Sequence, residues 1–191
     1  MEVLKALEVA GRTCYKSEEK ITDESAISFV KKLIDRGHEA MIEHFSVSVR
    51  FICDRGVSHE IVRHRIASFA QESTRYCNYS KAQFGNEITV IEPLFWEKDS
   101  PAYNVWETAC AAAERFYFEL LKRGANAQEA RSVLPNSLKT EIVVTMNLRE
   151  WRHFFKLRTA PTAHPQMREV AIPALNTFKE MIPVVFDDIV V

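Results

Sequence analysis

The chain has 191 residues, 47% of them hydrophobic and 27% charged, with a formal net charge of -1 at pH 7. That length supports one domain with a real core, and the charge balance excludes a protein that coats nucleic acid through general basicity. No apolar run approaches the ~20 residues needed to cross a bilayer, no secretory leader pattern opens the chain, and Cys14, Cys53, Cys77 and Cys110 form no CxxC pair, so a cytoplasmic protein with reduced thiols and no metal is expected.

In chain order, Glu2 to Thr13 reads as a helix with Val3, Leu4, Leu7 and Ala10 on one side. A second helix has Thr22 as its cap, Asp23 and Glu24 at the positive end of its dipole, and Gly37 as its stop. Ala26, Phe29, Val30, Leu33 and Ile34 give it the stripe of a half-buried helix. Phe45, Val47, Val49, Phe51 and Cys53 then alternate with Ser46, Ser48, Arg50 and Ile52, which predicts a strand. Asp54-Arg55-Gly56 reads as a turn, and Ser58 as the cap of a short helix that delivers Arg63 at its far end. Residues 68–85 are polar and read as an irregular loop.

Ile88 to Ile91 predicts a short strand closed by Pro93. Ala102 to Arg123 predicts the longest helix, with Tyr103, Trp106, Cys110, Ala113, Tyr117, Leu120 and Leu121 as its core stripe. Ala127 to Leu134 is a brief helix stopped by Pro135. Glu141 to Met146 reads as a strand and Leu148 to Arg158 as a helix. The Pro161 to Pro165 stretch precedes a last helix interrupted at Pro173, and the apolar tail Ile182 to Val191 reads as a strand or an interface segment. Helices alternating irregularly with a few strands predict an α+β fold, mixed helices around a small central sheet, as one domain over residues 1–191.

The chemistry concentrates in Arg63-His64-Arg65-Ile66-Ala67-Ser68-Phe69-Ala70-Gln71-Glu72-Ser73-Thr74-Arg75-Tyr76. Three arginines, a histidine and three short hydroxyl residues form a donor set suited to a phosphorylated ligand. The five glycines of the chain form neither GxGxxG nor a phosphate-cradling loop, so side chains must hold any nucleotide. Upstream lies His38-Glu39-Ala40-Met41-Ile42-Glu43-His44, a polar cluster without a recognised metal spacing. His59-Glu60 fails the zinc HExxH pattern because position 63 is Arg and His64 lies about 140° from His59 around a helix. Downstream, Asn147, Arg149 and His153 share a neighbourhood if the segment is helical, with Arg158 a turn further on.

The central stretch resembles the RHRxxSxxxxSxRY signature of flavin-dependent thymidylate synthases, with seven fixed positions in fourteen present. His38, Glu39, Glu43 and His44 match an HExxxEH segment of that family. Arg131, followed by Leu134-Pro135, matches its AR-x-x-LP element. Asn147-x-Arg149, Leu157-Arg158 and then His164 and Gln166 match its later elements, so the resemblance runs from about residue 10 to residue 170.

The resemblance implies reductive methylation of dUMP to dTMP, with methylenetetrahydrofolate as carbon donor and FAD reduced by NADPH. It implies dUMP contacts from Glu60, Arg63, Gln71, Ser73, Thr74, Arg75, Arg131 and Arg158, with Arg158 the catalytic residue that polarises the uracil ring. It implies FAD contacts from His38, Glu43, Arg63, His64, Arg65, Ile66, Gln71, Asn147, Arg149 and His153. It also implies a homotetramer with sites shared between subunits, and neither a membrane nor a nucleic acid as partner.

There are departures from the family pattern. Glu60 stands where some relatives carry Gln, and Ala70-Gln71 replaces an Asn-Glu pair found in some members. Two extra residues lie between Arg158 and His164 relative to some members. The family usually opens with a strand, whereas this chain is expected to begin at the first helix. Two other readings compete. A nucleotide- or RNA-binding module would stack bases on Phe69 and Tyr76. A cysteine-dependent methyltransferase would use Cys77, which lacks a recognisable base partner.

Overall fold

The computed structural model describes residues 2–191. The expected α+β class holds: helices accompany a three-stranded sheet of order β1-β3-β2, built from β1 (Ser46–Asp54), β2 (Ser68–Gln71) and β3 (Lys139–Asn147). β1 and β3 run antiparallel, since Ser48 meets Thr145 at 2.7 Å while Arg50 meets Glu141 at 3.5 Å. The chain divides into two units, one made of the chain up to Val49 with His64–Ser68 and Val144–Val191, the other of Arg50–Arg63 and Phe69–Val143.

The first unit packs α1 (Glu2–Thr13) on α2 (Ser25–Asp35), and α6 (Leu148–Arg158) on α7 (Pro165–Met181). Gly11 permits the α1–α2 approach, because a Cβ there would lie 2.6 Å from the Phe29 ring. Ser25 Oγ donates to the buried Glu8 at 2.8 Å, and Glu8 is also bound by Arg12 at 2.7 Å. The core around α6 is aromatic: Trp151, Phe154 and Phe155 are fully buried, with Phe154 against Trp151 and Phe155, Trp151 against Phe178 of α7, and Phe155 against Phe178 and against Phe186 of the tail. Edge-to-face contacts of this kind add specificity beyond the burial of apolar area.

In the second unit, α3 (Arg55–Ile61) precedes β2, and α4 (Pro101–Lys122) is followed by α5 (Ala127–Ala130). Ser100 caps α4, and Asn126 with Glu129 forms a capping box on α5. Tyr79, Tyr117, Ala130 and Leu138 form a core cluster, with Leu120 and Leu121 of the predicted α4 stripe packed against it.

Several local expectations are corrected. Asp54, not Ser58, caps α3 by accepting from Val57 N at 2.6 Å, so the predicted turn at Arg55-Gly56 is the first turn of the helix. Ser58 lies inside that helix and donates to Arg55 O. Thr22 does not cap α2: its N–H donates to Ser25 Oγ at 2.9 Å, and the helix begins at Ser25. Residues 68–71 form a strand rather than a loop. The strand predicted at 88–91 reduces to one bridge, Val90 to Leu138. Pro173 does not interrupt α7, which runs through it. The tail at 182–191 is not a strand; Ile182, Val185, Phe186 and Ile189 are buried as side-chain anchors. Among the described residues no helix is long and apolar enough to cross a membrane.

Candidate functional site

Asn147 ends β3 and starts α6: its Oδ1 accepts from Glu150 N at 2.9 Å, the geometry of an N-cap. This cap aims the first turns of α6 into a cleft of about 560 Å³ lined by Glu39, Glu43, Ile66, Asn147, Arg149, Glu150, Arg152, His153 and Lys156. Five of the residues nominated for FAD, namely Glu43, Ile66, Asn147, Arg149 and His153, therefore share one concavity. Arg149 Nη1 donates to Glu43 at 2.6 Å while its side chain stays 53% exposed. Two half-exposed cations, Arg149 and Lys156, stand beside the exposed apolar Ile66. That combination suits a ligand with an anionic linkage and a flat apolar ring, so the residues present fit a flavin nucleotide.

His64 lies among the same elements but is itself buried. Its Nδ1 is 3.0 Å from Glu150 Oε1, and its Nε2 is 3.0 Å from Arg158 Nε. A guanidinium only donates, so Nε2 accepts and the ring is neutral with its proton on Nδ1. Burial pushes the His64 pKa below the ordinary imidazole value, and the Arg158 charge adds to this against the opposing pull of Glu150. A depressed imidazole gives stability that is complete above the unfolded pKa of about 6.5 and is lost as pH falls below it.

Behind the cleft, Arg152 is 2% exposed. It donates to Glu39 at 3.0 Å, to both oxygens of Asp188 at 2.6 Å and 2.7 Å, and to Val185 O.

His38 does not join this cleft; it is exposed and lines a separate depression with Gly11, Cys14, Tyr15, Leu33, Ala40 and Met41. Arg65 is exposed on the segment leading to β2. Glu60, Arg63, Gln71, Ser73, Thr74, Arg75 and Arg131 belong to the second unit. There Gln71 Nε2 donates to Ser58 Oγ at 2.9 Å and to Thr140 Oγ1 at 3.3 Å. With both amide hydrogens engaged, Oε1 is the group Gln71 presents as an acceptor. Arg131 Nη1 reaches Thr74 Oγ1 at 3.5 Å. Ser73 Oγ accepts from Arg75 N at 3.3 Å, and the Arg75 guanidinium sits 5.4 Å over the Tyr76 ring. Glu60 is half-buried and Arg63 exposed.

The second unit also holds a cleft of about 740 Å³, lined among others by Gln71, Glu72, Tyr79, Lys139 and Glu141. Its charges answer one another: Lys139 bonds Glu141 at 2.6 Å and lies 3.6 Å from Glu72, which accepts from Tyr79 Oη at 3.0 Å.

Sequence reasoning missed Glu150, Arg152 and Lys156. Glu150 and His153 are three apart on α6, a spacing that shares a face, but Arg152 gains its meaning from Asp188, 36 residues on, and no local pattern signals that. A His64, Glu150 and His153 group also satisfies the spacing for a cation site. The Arg158 guanidinium at 3.0 Å from His64 opposes a second positive charge there.

All four cysteines are free. Burial pushes the Cys77 thiol up, and Glu72 adds to the shift, while Cys53 is pushed up to about 12. A thiol held protonated is a poor nucleophile. Cys77→Ala is therefore expected to keep turnover within roughly tenfold, about 1.4 kcal/mol in the barrier. A steady-state assay checks this, and complete loss with ligand binding intact would restore a covalent role for Cys77.

Comparison with known sequences places this arrangement. The model of the family described as "Thymidylate synthase complementing protein" matches residues 1–184. The chain is 40% identical over 157 residues to a protein of Pyrococcus abyssi named flavin-dependent thymidylate synthase, covering 81% of this chain and 63% of that one. It is 35% identical over 191 residues to one of the same name from Geobacter sulfurreducens, covering 96% and 80%, and 34% identical over 200 residues to one from Mycobacterium avium, covering 95% and 78%. The chain belongs to the thymidylate synthase complementing protein family, to which the resemblance in the RHR stretch pointed. It spans 63% and 66% of the lengths of the relatives from P. abyssi and Pyrococcus furiosus.

Proposed function

We propose that this chain catalyses the reductive methylation of dUMP to dTMP, with methylenetetrahydrofolate as carbon donor and NADPH as reductant, and that it works as a homotetramer. The observation that carries this is the contact between Arg158 and His64. Two elements nominated separately, the RHR triplet and the Leu-Arg pair 94 residues later, meet at 3.0 Å.

FAD, when bound, supplies the redox chemistry that carries a hydride from the nicotinamide to the one-carbon unit. Glu43, Ile66, Asn147, Arg149 and His153 would hold it in the α6 cleft, with Arg149 and Lys156 answering its phosphates and Ile66 covering its ring. His38, Arg63, Arg65 and Gln71 complete the set nominated for it, and His64 backs α6 from the interior.

The chain's own residues do the rest. Arg63, Arg75 and Arg131 offer planar donors to the dUMP phosphate, with Ser73 and Thr74 as short hydroxyl partners. Gln71, its amide hydrogens tied to Ser58 and Thr140, would accept from the uracil edge through Oε1, while Glu60 takes the place of the family's glutamine. Arg158 stabilises negative charge on the uracil oxygen as electron density moves to C5, where the new carbon attaches. His64, neutral and buried, accepts from Arg158 and keeps the guanidinium in place.

The test is direct. Purified protein is expected to be yellow, or to become so on titration with FAD, and to form dTMP from dUMP, methylenetetrahydrofolate and NADPH. A folded sample that binds no flavin and makes no dTMP would overturn the reading. Retention of single-stranded RNA instead would favour the binding module, against which the net charge of -1 already counts.

A further inference from the structure

We propose that Glu150 is a positioning residue that fixes the tautomer of His64 and, through it, the orientation of the Arg158 guanidinium; the proposal rests on the role given to Arg158 above. Glu150 Oε1 lies 3.0 Å from His64 Nδ1, and Arg158 Nε lies 3.0 Å from His64 Nε2. Because the guanidinium can only donate, the contact with Arg158 exists only when Nε2 is bare. The ring proton then resides on Nδ1 and is donated to the Glu150 carboxylate. The opposite tautomer would set N–H against N–H at Arg158 and a lone pair against the carboxylate at Glu150. Both ends of the ring therefore select the same form.

The surroundings make that selection effective. The His64 side chain is 3% exposed and that of Glu150 11% exposed, so water competes poorly for either. Glu150 sits in the first turn of α6, and its own N–H is bound to Asn147 Oδ1 at 2.9 Å, so its backbone is fixed by the cap. Phe154 closes one side of the imidazole at a centroid distance of 4.9 Å, and His153 packs edge-on at 5.5 Å. The charged and titratable groups that act on His64 are Glu150, Arg158 and His153. Of these, the carboxylate is the group that accepts from Nδ1, while Arg158 keeps Nε2 bare. The device has the logic of a carboxylate–imidazole pair in which the acid never reacts and only sets which nitrogen carries the proton.

Glu150→Ala and Glu150→Gln test it, with protein labelled by 15N-histidine and the His64 resonances assigned through His64→Asn. In the unchanged protein, His64 is expected to show a protonated Nδ1 and a bare Nε2. Glu150→Ala leaves Arg158 to select the tautomer without the carboxylate, and is expected to give a mixture in which the form protonated on Nε2 becomes detectable. Methyl transfer in single turnover should slow about tenfold to a hundredfold, the scale of a small misplacement of a reacting group, while the KM for dUMP stays within about twofold.

Glu150→Gln keeps the volume of the side chain and guards against a folding defect. Its amide presents either an acceptor or a donor to Nδ1, so a partial shift of tautomer with a smaller loss of rate is expected. The proposal is overturned if both variants fold, His64 keeps its proton on Nδ1 and methyl transfer runs at the unchanged rate. It is equally overturned if thermal stability falls while the tautomer and the KM-against-kcat pattern stay as they were. Should the unchanged protein bind FAD but form no dTMP, the function fails, and the tautomer measurement still decides whether Glu150 governs His64.

Discussion

Arg158→Lys is expected to slow methyl transfer by ~10²–10³, the usual cost of removing one donor that acts in the transition state. Lysine keeps the positive charge but has no planar fork and no Nε–H. The 3.0 Å contact with His64 Nε2 is therefore lost together with the flat face that would meet uracil. Reduction of the flavin by NADPH is expected to suffer less, because that half-reaction needs no activated pyrimidine. Stopped-flow measurement of the two half-reactions separates these steps. Methyl transfer at the unchanged rate would remove Arg158 from base activation and leave Arg131 or Arg75 as the next candidate. A loss confined to flavin reduction would assign Arg158 to the cofactor side.

The second large effect is on stability. Arg152 is 2% exposed and joins the 3-10 turn Glu39–His44 to the C-terminal tail through Glu39, Asp188 and Val185 O. Removing one member of a buried ion pair typically costs 3–5 kcal/mol. The partner carboxylates here are 25% and 47% exposed, so water can take over part of their solvation. Arg152→Ala is therefore expected near the lower end, about 3 kcal/mol, or roughly 6–12 °C in Tm for a chain of this length.

The pH dependence gives an independent check. The Arg152 guanidinium holds the Asp188 carboxyl below its ordinary value. A depressed carboxyl contributes stability that is complete above the unfolded pKa of about 3.9 and is lost as pH falls through the lower folded value. Arg152→Ala should flatten that part of the acid limb, measured by urea unfolding between about pH 5 and pH 2. A variant as stable as the parent, with the acid limb unchanged, would show that the tail is held by Phe186 and its aromatic neighbours alone.

These two residues mark the boundary between what the sequence carries and what it does not. Arg158 could be nominated because it sits beside Leu157 in a recognisable order of elements. Arg152, only six residues earlier, reads in sequence as one more solvated base on an amphipathic helix. Its role depends on Asp188 and on a tail whose buried anchors follow no strand period.

The same division runs through the secondary structure. The helices read at Glu2–Thr13 and Leu148–Arg158 agree with the structure to the residue, and each buries one face against its neighbours. The cap of α3 went to Asp54 because a carboxylate one residue before the helix satisfies its N–H groups better than a hydroxyl inside it. Residues 68–71 became a strand because β3 offered an unpaired edge, which a local reading of polar residues cannot contain. Pro173 was carried within α7, which buries Met167, Ala171, Leu175 and Phe178; the packing of that face outweighed a local break.

The α+β class and the family were legible in the sequence, which also nominated an inventory of donors for an anionic nucleotide. Composition, periodicity and a fourteen-residue signature are local properties, and they survive without coordinates. The tertiary structure decided which donors converge. It put Glu43, Ile66, Asn147, Arg149 and His153 on one cleft and His38 on another. It also set the protonation of His64, because a tautomer is chosen by partners on both sides of the ring, and here those partners stand 86 and 94 residues away in the chain.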